Sequence, residues 1–155
     1  MSKAMYHGCH PAVYLILEKD GKFLMMRRAN TGHSDGLYCV PAGHVEAGES
    51  MMAAIIREAA EEVGVFIQPE DLTFVHMQYR FSNRSVRATY HERIDVYFRT
   101  SKWNGLVENK EPHKCDDLQW FDFDKIPENT DPSCKVALKH IDKGSFYSEH
   151  GWEGK

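Results

Sequence analysis

Four cysteines are all that the 155 residues contain, Cys9, Cys39, Cys115 and Cys134, and no two of them form a Cys-x-x-Cys pair. Scattered in this way in a reducing compartment, they read as free thiols and not as a disulfide framework. A zinc set drawn from His7, Cys9, His10, His113 and Cys115 is the sharper alternative, but neither cluster has the spacing of a structural zinc site. Also missing is any run of lysine and arginine. With a net charge of −4, bulk electrostatics excludes nucleic acid and anionic membrane surfaces as partners, and the nine histidines would alter that only at acidic pH. No stretch approaches transmembrane length and none has the form of a signal peptide, so the chain is expected to be cytoplasmic. It has no internal repeat and no low-complexity tract, and its 42% hydrophobic content suffices for one core, so residues 1–155 are expected to form a single domain.

What is present is a series of short β-rich runs around one helical stretch. Ala12 to Leu17 and Phe23 to Arg27 flank the turn Lys19-Asp20-Gly21-Lys22, the pattern of a hairpin. A polar loop, Ala29 to Gly36, precedes Leu37 to Val40. Beyond the helical stretch, Leu72 to Phe81 and Tyr90 to Thr100 read as long strands joined by the loop Ser82 to Ala88. Leu118 to Phe121 reads as a short strand, and Ser133 is expected to cap a last helix ending near Asp142. From Gly144 onward the tail has no assignable element. Strands, a central helix, more strands and a final helix give an α+β class.

The helical stretch is dense in carboxylates. A helix from Ser50 to Val63 sets Glu58, Glu61 and Glu62 at i, i+3 and i+4, on one face. Like charges at these spacings destabilise a helix by roughly 0.2–0.5 kcal/mol per pair, a penalty that a bound cation removes. The ligands on offer are hard oxygens, which suit Mg²⁺ or Mn²⁺ better than zinc or copper. Ser50 is the expected N-cap and Gly64 the left-handed terminator, with Gly43 and Gly48 allowing a tight loop before the helix. Met52, Ile55, Ile56, Ala59 and Val63 recur at helical spacing as the buried stripe. Arg57 is placed to fork onto Glu49, tying loop to helix.

Gly43, Glu49, Arg57-Glu58, Glu61-Glu62 and Gly64-Val65, at these spacings, resemble the signature of the Nudix hydrolase family. Ala59 departs from it, standing where the family has a larger aliphatic. The stretch from Asn109 to Cys115, with Leu118-Gln119-Trp120-Phe121 and Ile126-Pro127, resembles the downstream segment of MutT-like members that act on nucleoside triphosphates. The resemblance covers most of the chain and implies an α/β/α sandwich around a mixed sheet.

It also implies a chemistry. Hydrolysis of a phosphoanhydride needs phosphate charge neutralised, a water aligned, and a base. By resemblance, Glu58, Glu61 and Glu62 hold divalent ions, with the Ala42 carbonyl and Glu111 as further candidate ligands, while Arg57 and Glu49 organise the site. Glu58, Glu62, Glu92 and Glu111 are the candidate general bases. Tyr38, Tyr79, Phe81, Trp120 and Asn129 are candidates for holding a nucleotide base. The expectation is a Mg²⁺-dependent enzyme, with Mn²⁺ as the alternative ion, that cuts a small-molecule nucleoside triphosphate, an oxidised one included, to monophosphate and pyrophosphate. ADP-ribose or another nucleoside diphosphate linked to a second group is the alternative substrate. A non-catalytic Nudix-fold module is the alternative of a different class, disfavoured because every box glutamate is present.

Overall fold

A strand buried on both faces has no need to alternate polar and apolar residues, and the apolar run from Ala12 to Leu17 is of that kind. In the computed structural model, which describes residues 6–82 and 91–155, it forms the middle of β1 (His10–Lys19). Ala12, Tyr14 and Ile16 point into one core, and Val13, Leu15 and Leu17 into the other. The helix α1 (Met51–Val63) closes the second core through Ala54, Ile55, Ala59 and Val63; the helix α2 (Pro132–Asp142) closes the first through Cys134, Ala137, Leu138 and Ile141. The result is the expected α/β/α sandwich.

The sheet is mixed. β1 turns through Asp20 and Gly21, both at positive φ, into β2 (Lys22–Arg28), which pairs with β3 (Tyr38–Cys39) on one side and β7 (Cys115–Phe121) on the other. The first half of β1 pairs antiparallel with β4 (Ala42–His44), its residues His10 to Leu17 pair parallel with β6 (Glu92–Thr100), and β6 pairs with β5 (Thr73–Phe81). Because β4 runs directly into the loop before α1, the strand pairing fixes where that loop starts. The expected start of a strand at Tyr90, and residues 83–88 of the expected loop, lie outside the described residues. No helix among the described residues is long and apolar enough to cross a membrane.

Three local expectations need correction. Met52 is 36% exposed, because Met51 and Ala54 fill the N-terminal end of the buried stripe in its place. The cap of α2 is Asp131, whose Oδ1 accepts from the Ser133 and Cys134 amides at 3.0 and 3.3 Å. Pro132 takes the first helical position, which suits a residue without an N–H and pushes the cap one place upstream of it. The tail is also ordered into an element, since β8 (Tyr147–His150) adds to the sheet edge parallel to β5.

A buried polar cluster holds β8 there. The His76 ring places Nδ1 2.8 Å from the Ser145 carbonyl and Nε2 2.7 Å from Ser148 Oγ, which also accepts from Gln78 Nε2 at 3.2 Å. Burial lowers the His76 pKa, so the ring is neutral, donating from Nδ1 and accepting from the Ser148 hydroxyl. Ser148→Val is expected to cost about 1–3 kcal/mol, since it strips a partner from two buried groups at once. That corresponds to a fall of order 1 M in the urea midpoint. An unchanged midpoint would remove Ser148 from any role in anchoring the tail.

Candidate active site

The loop between β4 and α1 is knitted to the helix by one arginine. Arg57 forks onto Glu49, with Nε to Oε1 at 2.8 Å and Nη2 to Oε2 at 3.0 Å. Its Nη1 reaches Glu58 at 2.8 Å and Glu61 at 3.3 Å, and Nη2 also donates to the His44 carbonyl at 3.1 Å. Glu49 Oε2 accepts in addition from the Glu46 amide at 3.0 Å. The bidentate partner holds Glu49 at about 2, well below the usual carboxylate range, so this pair stays ionised at any pH of interest. Ser50 Oγ accepts from the Ala53 amide at 3.1 Å, and Gly64 ends the helix at φ 73°, both as expected.

The three carboxylates on the shared face differ in surroundings. Glu61 is 54% exposed at its side chain, whereas Glu58 is 14% exposed and lies across Gly43. A Cβ on Gly43 would fall 1.9 Å from the Glu58 Cδ, so only glycine leaves that carboxyl its place. Glu62 accepts from the Ala42 amide at 3.0 Å. Burial, followed by the negative charge of Glu58 and Glu111, raises its pKa to about 8 against the opposing pull of that amide. Glu58 is raised too, by burial first, with Arg57 opposing.

Of the three carboxylates, Glu62 borders a cavity of about 240 Å³. Its charged lining is Glu62, Glu111 and Asp131 with Arg28, Arg80, Arg93 and Lys114; Ala42, Gly43, His33 and His44 line it too, and Ala12, Tyr14, Met26, Cys39 and Val40 supply apolar surface. Lys114 donates to Glu111 at 3.0 Å, holding that carboxylate at the cavity edge. Burial and the neighbouring Arg93 lower the His44 pKa, so its ring is neutral at pH 7. Glu92 does not line the cavity; it pairs with His7 at 3.3 Å.

None of the five residues expected to hold a base borders this cavity. Tyr38 is core, 6% exposed, its hydroxyl on Asp117. Tyr79 packs on Trp152, and Phe81 on Trp152 and His91. Trp120 stacks on Trp103, and both line a separate cavity of about 370 Å³, larger than the one beside Glu62. Asn129 is exposed and donates to the Gly36 carbonyl at 3.0 Å, fixing the loop before β3. Phe81 alone approaches the site, lining a smaller cavity that shares Arg80, Asp131 and Ser133 with the main one. In a small sandwich rings are needed first to fill the cores, so an aromatic side chain is by itself a weak mark of a ligand site. The cationic wall was missed, although a charged Asp95 inside the apolar run Ile94 to Phe98 is a visible irregularity that points to a buried partner.

The donor set suits a hard divalent cation. Glu62 and Glu111 border the cavity, Glu58 and Glu61 flank them on α1, and the upward shift of Glu62 reports clustered, desolvated acids short of positive charge. Among the described residues no three His, Cys, Asp or Glu side chains already converge as a ready-made metal cage, since Glu58 turns to Arg57 and Glu62 to the Ala42 amide. The zinc alternative finds no such group either, and Cys115 is buried, with Sγ donating to the Asp117 carbonyl at 3.1 Å. All four cysteines are free.

Comparison with known proteins places this geometry. A model of the NUDIX domain matches residues 9–140. An ADP-ribose pyrophosphatase of Methanocaldococcus jannaschii is 31% identical over 133 residues, 84% of this chain and 69% of that protein. The phosphatase NudJ of Escherichia coli is 36% identical over 67 residues, which span 43% of this chain and only 42% of NudJ. Among solved structures, a MutT NUDIX hydrolase from Burkholderia pseudomallei superposes with a TM-score of 0.72 at 20% identity, covering 86% of this chain and 98% of that one. The MutT protein of Methanosarcina mazei Go1 gives 0.72 at 19% identity over 90% and 97%. At these identities the two structures speak to the fold alone.

Proposed function

The chain belongs to the Nudix hydrolase family, and from that premise we propose that it splits a nucleoside triphosphate into monophosphate and pyrophosphate. The observation that carries this reading is one cavity lined both by the carboxylates Glu62 and Glu111 and by four cationic side chains, Arg28, Arg80, Arg93 and Lys114. The cavity, smaller than the roughly 300–1,000 Å³ of sites that engulf a drug-sized ligand, is proposed to take the polyphosphate chain and to leave the nucleoside outside.

Glu58, Glu61 and Glu62 are the proposed ligands of Mg²⁺, with Mn²⁺ able to replace it, and Ala42 and Glu111 lie beside them. The bound ion supplies charge neutralisation on the phosphates and lowers the pKa of water. Arg57 and Glu49 hold α1 against its loop so that the acids keep their spacing. Glu111 is the proposed base, because it borders the cavity, stands off α1 and is oriented by Lys114; Glu92 lacks the first of these properties. Arg28 and Lys114 offset the charge of the chain of phosphates.

The M. jannaschii relative supports a second reading, in which a nucleoside diphosphate linked to a second group, such as ADP-ribose, is cut instead. A panel of nucleotides with Mg²⁺, read by released pyrophosphate and AMP, separates them. Deoxynucleoside triphosphates are expected to exceed ADP-ribose in kcat/KM by at least about tenfold, or about 1.4 kcal/mol in transition-state binding. ADP-ribose outrunning every triphosphate would sink the first reading and leave the second.

A further inference from the structure

Two arginines from neighbouring strands share one carboxylate in the wall of the cavity. Asp95 of β6 is completely buried, and Arg80 of β5 and Arg93 of β6 direct their Nε groups at its two oxygens, Arg80 onto Oδ2 and Arg93 onto Oδ1 at 3.4 Å. Each guanidinium has a second anchor. Arg80 Nη2 reaches the Tyr14 hydroxyl at 3.3 Å, and Arg93 Nη1 stands 3.3 Å from Nε2 of His44. Both arginine side chains are mostly buried, 14% and 19% exposed, yet both border the cavity. Two cations on one anion leave the trio with one net positive charge in a poorly solvated place. Asp131 shares the cavity, and despite burial its carboxyl is held below the usual range, by the Ser133 hydroxyl first and by Arg80 in part. An entering anion therefore gains from Arg93 most and from Arg80 in part, against the cost of shedding its own hydration shell.

We propose that Arg80 and Arg93, held in place by Asp95, form a subsite for the terminal phosphate of the substrate, the one farthest from the nucleoside. The inference rests on the triphosphate reading above. Guanidinium forks match phosphate oxygens in geometry as well as charge, and here they are fixed before the ligand arrives. The subsite is tied to α1 through one residue, since His44 meets Arg93 with its ring and Arg57 with its carbonyl. A phosphate gripped by Arg80 and Arg93 therefore sets the distance from the chain's far end to the glutamates of α1. A triphosphate presents a charged phosphate there, whereas ADP-ribose presents an uncharged sugar. Asp95 is a positioning residue, acting only through the two arginines.

The test uses the full chain loaded with Mg²⁺, and inorganic pyrophosphate as the probe, titrated by calorimetry without turnover. Arg93→Gln is expected to weaken pyrophosphate binding and to raise the KM for a deoxynucleoside triphosphate by about tenfold or more. The loss should appear in KM and not in kcat, as for a contact made equally in ground and transition states, and KM for ADP-ribose should move less than about twofold. Arg93→Lys keeps the charge without the fork; as a milder change it reads the subsite if the glutamine variant does not fold, with about threefold weaker pyrophosphate binding expected. Pyrophosphate bound equally by wild type and either folded variant overturns the subsite, as does an equal rise in KM for ADP-ribose and triphosphate. A wild type that cleaves ADP-ribose alone defeats the triphosphate reading instead, and the pyrophosphate titration then decides the subsite by itself.

Discussion

Glu62→Gln is expected to lower kcat by about 10²-fold or more at saturating Mg²⁺, while making the metal-free protein more stable above pH 7. The catalytic loss is the size expected when a main electrostatic stabiliser is removed. The gain in stability follows from the environment of Glu62. Its folded-state pKa is raised from an ordinary 4.5 to about 8, by burial first and then by Glu58 and Glu111. A carboxylate raised in this way favours the folded state fully below its unfolded pKa and loses that contribution as the pH climbs through about 8. The melting temperature of metal-free wild type should therefore fall between pH 5 and pH 9 more steeply than that of the glutamine variant. Saturating divalent cation should reverse the loss in wild type, because an ion that binds only the folded state stabilises it by mass action. Near-normal kcat in the variant would show that Glu62 is not a ligand, and parallel pH profiles of the two metal-free proteins would show that its carboxyl is not raised by burial.

The parts of the molecule readable in advance share a physical basis. Local rules placed the helix ends at Ser50 and Gly64 and the Asp20-Gly21 turn, because each depends on a few adjacent residues. The Arg57–Glu49 fork was readable because helix periodicity and a short loop confine both partners. What escaped depends on pairing between distant strands. β8 is a four-residue edge strand whose only marks are alternating exposure and a buried Ser148, and it exists because β5 offers an edge and His76 a partner. The cationic wall joins Arg28 of β2, Arg80 of β5, Arg93 of β6 and Lys114, residues that no local pattern brings together. The aromatic candidates carry little information for the opposite reason: burial of Tyr38, and the packing of Tyr79 on Trp152 and Trp120 on Trp103, are met by the cores and the tail before any ligand is considered.

Gly43→Ala is expected to reduce turnover by about 10²-fold with little loss of stability. Gly43 is not at positive φ, so the backbone accepts an L side chain there. The obstacle is the added Cβ, which falls 1.9 Å from Cδ, 2.0 Å from Oε1 and 2.5 Å from Cγ of Glu58. Those are the far atoms of a flexible side chain and not backbone, so Glu58 can swing away at modest cost and the fold survives. In swinging away it gives up the 2.8 Å contact with Arg57 Nη1 and its station between loop and helix. The change therefore acts through Glu58, which a double-mutant cycle makes visible. In a Glu58→Gln background, where the carboxylate charge is already gone, Gly43→Ala should lower kcat by no more than about threefold further. Full additivity of the two losses would mean that the methyl group harms something other than Glu58, such as the phosphates' own path past the loop. A melting temperature depressed by more than about 10 °C in the single variant would place the damage in the pairing of β4 with β1.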